Sequence, residues 1–304
     1  MHKMNAINAT KDVSQGAASR DGIAASAPAG GDAVTIGSGF NARSFRAAAM
    51  WEAMDPLVMV DHYVMTEPTF GAHPHAGMSA VSLLFEDSEG LFHNRDSLGN
   101  DFDLRPGDLY WLSAGSGAVH DESPRENARI HGLQVFVNVP QSRRFASPDS
   151  LLVRATDMPV IDSADSRVKI ALGESNGVRG AESPSTPMSI LDGTIRPGGH
   201  VFHETTANRG IWVQAIRGGL DVCVGETTRR LTRGQAVAMK VDGSATVSVS
   251  NVSRDSVHFV LFDGAQVGEP YVQDGPFVMG SQEQIAAIKA DYAAGRLGSI
   301  PALT

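Results

Sequence analysis

The sequence predicts an all-β protein of two β-barrels followed by one short helix. The 304 residues include 32 glycines and 15 prolines, whereas helical periodicity is scarce, which favours short strands joined by turns. Apolar residues run together or alternate in short segments, such as residues 57–60, 79–85 and 130–139. The turn-then-strand pattern of residues 104–109 returns at 231–239, which indicates a weak internal repeat and hence two barrels of one type.

Composition divides the chain into five predicted parts. The residues before the first strand signal, near Val34, are rich in Ala, Ser, Gly and Asn and lack the apolar core of a secretory signal, which predicts a disordered tail. A polar, proline-containing stretch predicts a connection between the barrels. The parts are the tail (1–33), the first barrel (34–150), the connection with the first strands of the second barrel (151–187), the second barrel (188–280), and the helix with the chain end (281–304).

The predicted helix begins at a capping box near the C-terminus. Ser281 and Gln284 have the spacing at which a serine and a glutamine cap a helix reciprocally. Ile285, Ile288 and Tyr292 then recur at helical spacing, which predicts one apolar face.

Charge and cysteine content exclude several classes of function. The formal net charge is −9, because 34 Asp and Glu outnumber 25 Lys and Arg, so the surface would repel a nucleic-acid backbone. No apolar run approaches the roughly 20 residues that a membrane span needs. Cys223 is the single cysteine, which suits a reducing compartment. We therefore expect a cytoplasmic protein that binds neither nucleic acid directly nor a membrane.

The segment His73-Pro74-His75 predicts two metal ligands. In a strand, side chains two residues apart leave the same face, so both imidazoles lie at about the separation that one metal ion requires. Pro74 cannot donate a ladder hydrogen bond, which places the segment at a sheet edge or at the lip of a barrel. Such a position gives the ligands access to solvent.

The segment His120-Asp121-Glu122 repeats this spacing, so His120 and Glu122 share a face. With the first pair, they offer three nitrogens and one carboxylate oxygen, which suits iron, manganese, nickel, copper or zinc and leaves open positions on an octahedral ion. One such pair is a weak signal in a chain with 10 histidines, but two pairs beside Gly- or Pro-rich turns indicate one metal site.

Four other histidines are predicted to have structural roles and not to bind a metal. His200 and His203 are three residues apart and do not share a strand face, so a second metal site is not expected. His258 lies in an apolar strand, which predicts a hydrogen-bonded core residue. His131 is predicted to be structural, with contact to a metal ligand as the alternative.

Seven motifs in one collinear order resemble those of the pirin family, within the cupin superfamily. The resemblance covers about residues 40 to 297. The motifs are DPL (55–57), FGAHPHAG (70–77), RDSLGN (95–100), RPGD (105–108), AGSGAVHDE (114–122), HGLQVFVN (131–138) and GEPYVQDGPFVM (268–279).

This resemblance implies two cupin barrels, each a double-stranded β-helix or jelly-roll. It implies a metal ion, usually iron, in the N-terminal barrel, on the matching positions His73, His75, His120 and Glu122, and no metal in the C-terminal barrel. Iron(II) is therefore the expected cofactor, with manganese, nickel, copper, cobalt and zinc as alternatives. Some bacterial members are similar to quercetin 2,3-dioxygenases, whereas animal members resemble nuclear transcription cofactors that switch with the metal's redox state.

The sequence departs from the family beside the first histidine pair. Ala76 and Ser79 stand where the family usually has Arg and Glu, so a charged pair near the metal is lost. Three hypotheses follow. The first is a dioxygenase that acts with O₂ on flavonol-like substrates, with Glu122 as ligand or base. The second is a non-enzymatic, redox-dependent regulator that binds a protein partner, and the third is a structural protein with a vestigial site.

Overall fold

The computed structural model describes residues 22–301 and confirms the predicted all-β class. In this range the chain forms 26 strands and two α-helices. Neither of these helices has the length and apolar character needed to cross a membrane. With so many strands and only two helices, the fold is built mainly by strand pairing.

The first half of the chain contributes one strand to the second barrel and then builds the first barrel. Its elements are β1 (Ile23–Ala25), β2 (Asp32–Ile36), β3 (Phe40–Arg46), α1 (Ala47–Met54), β4 (Leu57–Met65), β5 (His73–His75), β6 (Met78–Leu84), β7 (Phe92–Asp96), β8 (Asp101–Leu104), β9 (Leu109–Ser113), β10 (Ala118–Pro124), β11 (Ile130–Asn138) and β12 (Asp149–Val153). A seven-stranded sheet has the order β12-β9-β6-β11-β4-β3-β2, and a four-stranded sheet has the order β5-β10-β7-β8. Apolar residues of both sheets pack together in one interior cluster.

The second half repeats this plan. Its elements are β13 (Val160–Asp162), β14 (Ser166–Leu172), β15 (Glu174–Ser175), β16 (Val178–Arg179), β17 (Met188–Ile195), β18 (His200–Thr205), β19 (Arg209–Arg217), β20 (Leu220–Val224), β21 (Thr227–Leu231), β22 (Ala236–Val241), β23 (Ala245–Asn251), β24 (Val257–Ala265), β25 (Val272–Asp274), β26 (Phe277–Met279) and α2 (Gln282–Ala293). The sheets have the orders β1-β22-β19-β24-β17-β14-β13 and β18-β23-β20-β21. Seven and four strands recur, so the internal repeat is a repeat of whole barrels.

The predicted disordered tail, residues 1–33, is only partly within the described residues. Residues 1–21 lie outside them. The later part is not a tail, because β1 pairs with β22 and Ile23 packs into the core of the second barrel. Three residues are too few to show strand periodicity, and the partner strand lies in the other half of the chain, so the sequence could not reveal this pairing.

The predicted boundary between residues 150 and 151 cuts through a strand. β12 pairs with β9 and extends the seven-stranded sheet of the first barrel, so the connection begins after Val153. β13 and β14 already belong to the second barrel, as the sequence suggested for part of residues 151–187. β12 was missed because the sequence around it is polar. An edge strand such as β12 leaves one side toward solvent, so polar residues are compatible with it.

The helix α1 was not predicted. Arg46 precedes it without a side-chain cap, and its first turn has no acidic residue, so the usual start signals are missing. Ala47, Met50 and Met54 are buried in a cluster that contains residues of both barrels. Tertiary packing therefore stabilises this helix in place of capping.

The helix α2 begins where the sequence predicted. Ser281 Oγ accepts a hydrogen bond from the Gln284 N–H, whereas the Gln284 side chain accepts from the Gly280 N–H. Ile285 and Ile288 are buried, but Tyr292 is 40% exposed. The apolar face is thus shorter than predicted.

An apolar interface joins the two barrels. Phe45, Trp111 and Val135 of the first barrel share a cluster of buried residues with Trp212 and Phe262 of the second. The Trp212 ring packs edge-on against Phe45, with 5.7 Å between ring centroids. Aromatic contacts of this kind stabilise beyond the burial of their area, so we expect the barrels to unfold together.

A buried ion pair lies beside this interface. The Asp192 carboxylate accepts from His258 Nε2 at 2.6 Å and lies 3.0 Å from Lys169 Nζ, which is also 3.4 Å from Glu86 of the first barrel. Burial alone would raise the pKa of Asp192, but the charges and hydrogen bonds of His258 and Lys169 outweigh it and lower this pKa to about 2. His258 is hydrogen-bonded, as predicted.

The C-terminal ribbon, β25 and β26, returns to the first barrel. Phe277 bridges to Ala76, and the Val278 N–H donates to the Ala76 carbonyl at 3.0 Å. A Cβ on Gly77 would lie 2.0 Å from the Val278 carbonyl oxygen, and Gly77 also has a φ of +72°. Only glycine accommodates this close approach.

We expect Gly77→Ala to destabilise the fold by about 3 kcal/mol or more, because backbone strain and a steric clash add. Gly198→Ala is the matched control, since Gly198 has a φ of +73° and no atom within 4 Å of an added Cβ. The control should cost only about 1–2 kcal/mol. Urea unfolding followed by circular dichroism measures both; equal losses would show that the contact with the ribbon contributes nothing.

We expect Asp192 to make stability depend on acid pH. Its folded-state pKa is lowered from 3.8 to about 2, so its contribution, about 2 kcal/mol, is complete above about pH 4 and is lost as the pH falls toward 2. The stability difference between the wild type and Asp192→Asn should therefore shrink by about 1 kcal/mol between pH 6 and pH 3. Asp242→Asn, at an exposed pair with Lys240, should cost under about 1 kcal/mol. A constant difference for Asp192→Asn would contradict this account.

Candidate metal centre

Two paired strands bring three of the predicted ligands together. His73 and His75 lie on β5, which is the edge strand of the four-stranded sheet, as Pro74 predicted. β5 pairs with β10 so that His73 lies directly opposite His120. One ring nitrogen from each of these three histidines lies within 4.8 Å of the others.

The distances between the ring nitrogens fit one metal ion. His120 Nε2 lies 2.9 Å from His75 Nε2 and 3.0 Å from His73 Nε2. Two ligands that each bind an ion at about 2.1 Å, at a right angle, are about 3.0 Å apart. The three nitrogens can therefore occupy neighbouring corners of an octahedral ion and leave other corners open.

Backbone carbonyls orient two of the rings. His73 Nδ1 lies 2.8 Å from the Gly71 carbonyl oxygen, and His75 Nδ1 lies 3.2 Å from the Pro276 carbonyl oxygen. A carbonyl only accepts, so both Nδ1 atoms carry the ring hydrogen and both Nε2 lone pairs face the centre. A cation at that centre would satisfy lone pairs that otherwise repel each other, so the residues fit a metal.

Burial keeps the three rings neutral. It lowers the pKa of His73, brings that of His75 to about 3, and lowers that of His120 well below the ordinary value. Neutral imidazole is the form that binds a metal, so binding near pH 7 displaces no proton from these rings.

Glu122 lies beside the three histidines, but its carboxylate is not among the ligand atoms that lie within 4.8 Å of one another. It shares a face of β10 with His120, and its Oε2 is 3.9 Å from His120 Nδ1. Ser82 Oγ donates to its Oε1 at 2.7 Å. Burial raises the pKa of Glu122 to about 7, against the lowering effect of this hydrogen bond. The role of Glu122 as a ligand stays a prediction.

Polar side chains that sequence reasoning missed surround Glu122. Asn94 of β7 lies opposite Glu122 in the strand pairing, and Ser82 of β6 lies opposite Gln134 of β11. The Tyr63 hydroxyl, both amide atoms of Asn94 and the Gln134 amide nitrogen are buried without a hydrogen-bond partner. Polar residues inside otherwise apolar strands were the available signal, since unpaired buried polar groups are costly without a ligand or water.

Aromatic rings flank the group of histidines. Phe70 is 48% exposed, and its ring centroid lies 6.2 Å from that of His73. Phe136 packs edge-on against His75 at 5.1 Å. An exposed aromatic residue thus lies on one side of the histidine group, and a buried aromatic residue lies on the other.

Comparisons with known proteins agree with this architecture. The Pirin family model matches residues 36–137, and the Pirin C-terminal cupin domain matches residues 190–298. Human Pirin is 30% identical over 79% of this chain and 81% of its own length. The chain belongs to the pirin family. Pirin-like protein 2 of Arabidopsis thaliana is also 30% identical, over 81% of this chain and 76% of its own.

Solved structures share the two-barrel fold of this pirin-family protein. Quercetin 2,3-dioxygenase from Acinetobacter baumannii aligns with a TM-score of 0.77 at 24% identity, over 89% of this chain and 96% of its own. The bacterial pirin YhhW from Escherichia coli, in complex with nickel(II), aligns with a TM-score of 0.58 at 17% identity, over 81% of this chain and 100% of its own. The expected bicupin fold is therefore confirmed.

Ala76 and Ser79, the expected departures from the family pattern, are buried and uncharged. Ala76 is 0% exposed and packs with Phe277 of the C-terminal ribbon. Ser79 is also 0% exposed, and its hydroxyl lies 2.8 Å from that of Ser185. Both side chains are thus fully enclosed by the protein.

The other histidines contribute no second group of close ligands among residues 22–301. His200 is exposed and His203 is buried, so they lie on opposite faces of β18, as predicted. His131 Nδ1 lies 2.7 Å from an Asp87 carboxylate oxygen, and His131 Nε2 lies 2.8 Å from His62 Nε2. His131 is thus held by its own hydrogen bonds.

We expect the purified protein to bind one divalent ion per chain. His120→Ala should weaken binding by at least about 100-fold, because it removes the nitrogen that both other histidines approach, and changes around a site alone cost about 10–100-fold. His200→Ala, at an exposed histidine, should bind like the wild type. Elemental analysis and metal titration measure this; equal metal content in both variants would count against the site.

Proposed function

We propose that this pirin-family protein is a metal-dependent dioxygenase that opens the ring of quercetin-like flavonols or related enols with O₂. One observation carries the proposal: three mutually close imidazole nitrogens have a buried carboxylate beside them. The fold similarity to the Acinetobacter baumannii quercetin 2,3-dioxygenase supports it. The overall change adds both atoms of O₂ to the flavonol, breaks the two ring bonds of the carbon that bears the hydroxyl, and releases that carbon as carbon monoxide. The flavonol is oxidised as O₂ is reduced, so no further reductant is needed.

His73, His75 and His120 would hold the ion, with Glu122 as the proposed fourth ligand. When bound, the ion supplies Lewis acidity toward the flavonol hydroxyl and a redox partner for O₂. Iron(II) is the proposed ion because imidazole and carboxylate ligands suit it. Manganese, nickel, copper, cobalt and zinc accept overlapping ligand sets, and YhhW was crystallised with nickel(II), so the metal is varied in the test below.

The Glu122 carboxylate is also the proposed base that accepts the hydroxyl proton of the substrate. Ser82 donates to Oε1, which holds that oxygen in place. Oε2 accepts no hydrogen bond from Ser82 and lies on the side of His120. The proton would therefore be taken up at Oε2.

The buried polar groups around Glu122 would orient a substrate rich in oxygen atoms. Tyr63, Asn94 and Gln134 each have a buried polar atom without a partner, and hydrogen bonds to substrate hydroxyl and carbonyl groups would satisfy them. At the exposed side, Phe70 offers a ring face on which a flavonol could stack. Phe136, which packs against His75, would limit water at the inner side.

The regulatory alternative rests on Ala76 and Ser79, which replace the usual charged pair, and on the resemblance to non-enzymatic members of the family. A protein partner stays a prediction. A cytoplasmic location likewise stays a prediction from the single cysteine. The enzyme and the regulator differ in one measurable property, which is turnover.

We expect the protein loaded with iron(II) to consume quercetin and O₂ in equal amounts. Glu122→Gln should lower kcat by about 100-fold or more, because it removes the base and leaves an amide of the same shape. Flavonol absorbance and an oxygen electrode follow the reaction.

The matched control is Glu126→Gln, which changes an exposed glutamate in the turn after β10 and should keep full activity. The same assay is repeated with manganese, nickel, copper, cobalt and zinc. Absence of turnover with all six metals, in protein shown to contain the metal, would reject this substrate class.

A further inference from the structure

The second barrel has a serine, a histidine and an aspartate in hydrogen-bonded series. His203 lies on β18, the edge strand that corresponds in sheet order to β5 of the first barrel. Asp263 lies on β24 and Ser175 ends β15. All three are buried, with 3% or less of each residue exposed. The edge strand of the second barrel thus lies beside a serine and an aspartate, whereas the edge strand of the first barrel carries two of three clustered histidines.

The hydrogen bonds determine where the ring proton of His203 lies. Nε2 is 2.9 Å from Asp263 Oδ2, and Nδ1 is 3.0 Å from Ser175 Oγ. A carboxylate only accepts, so the proton is on Nε2 and Nδ1 is the acceptor. The Ser175 hydroxyl therefore donates to Nδ1, which is the arrangement in which an imidazole activates a serine nucleophile.

Arg209 keeps the aspartate charged and fixed. Its Nε donates to Asp263 Oδ1 at 2.6 Å, and its Nη2 donates to the Asp263 backbone carbonyl at 2.7 Å. Burial would raise the pKa of Asp263, but the His203 hydrogen bond and the Arg209 charge outweigh it and lower this pKa. A fixed carboxylate can stabilise the imidazolium that forms when His203 takes a proton.

Ser175 lines a cavity of about 250 Å³ that opens to solvent. Apolar side chains form much of its wall, and Phe202 and His200 are exposed at its surface. The apolar wall residues are Ile161, Val168, Leu191 and Val201. This lining suits a small uncharged acyl group next to the serine.

Asn176 offers a donor beside the nucleophile. It has a φ of 50°, in the left-handed region, at the turn that joins β15 to β16. Its Nδ2 donates to the Phe202 carbonyl at 2.8 Å and lies 3.3 Å from Ser175 Oγ. One Nδ2 hydrogen is thus anchored at Phe202, and the other is donated to Ser175 Oγ, the atom to which an acyl group would bind.

We propose that Ser175, His203 and Asp263 form an acyl-ester hydrolase site in the second barrel, separate from the metal centre. Ser175 Oγ attacks the carbonyl carbon of a small ester while its proton passes to His203 Nδ1, and Asn176 Nδ2 stabilises the oxyanion. The ester C–O bond then breaks, and the alcohol leaves with the proton from His203. Water, deprotonated by His203, attacks the acyl-serine, which releases the carboxylic acid and restores the Ser175 hydroxyl.

The test uses the full-length protein with a fluorophosphonate probe and p-nitrophenyl butyrate. We expect one label per chain, mapped to Ser175 by mass spectrometry, and ester hydrolysis that Ser175→Ala abolishes. His203→Gln should slow labelling by about 100-fold or more, because the base is lost. Ser256→Ala is the matched control, since Ser256 is an exposed serine of the second barrel outside the lining of this cavity, and it should react like the wild type.

The result is independent of the proposed dioxygenase, because His120→Ala should keep labelling and ester hydrolysis while it loses the metal. A purely structural role predicts that Ser175→Ala lowers the melting temperature and that the folded wild type is never labelled. Absence of a label in folded wild type, a label on another residue, or hydrolysis that survives in Ser175→Ala would each overturn the proposal.

Discussion

The pairing of β5 with β10 is the constraint on which the candidate site depends. Its register sets His73 opposite His120 and leaves His75 within hydrogen-bond distance of the same ring. Because these imidazoles are buried, they stay neutral and their lone pairs converge on one point. A shift of one residue in this register would turn β5 over and send both of its histidines to the other face.

The C-terminal half of the chain completes the site of the N-terminal barrel. The Pro276 carbonyl orients His75, and the ribbon that contains it lies against Gly77. In the other direction, β1 from the start of the chain extends a sheet of the second barrel. Each barrel thus depends on a segment that is distant in sequence, and the apolar interface around Trp212 joins them further. We infer that neither barrel forms its native structure alone.

The two barrels show how one architecture supports different chemistry. Corresponding edge strands place histidines in both, but His203 meets a serine and a buried aspartate where His75 meets two further imidazoles. The side chains that face the edge strand decide between metal binding and proton transfer. Apolar residues form the main buried cluster of the second barrel.

The sequence alone determined the fold class, the repeat of two barrels and the C-terminal helix, and it predicted the ligand pairs, because residue spacing and turn residues are local properties. It did not reveal β1, the place of β12 or the helix α1, since long-range pairing and packing stabilise these elements. Nor could it reveal that Ser82 holds Glu122, or that Ser175 meets His203. Those contacts join strands far apart in the chain, and only the closed barrels, in which inward side chains of different strands approach one another, decide them.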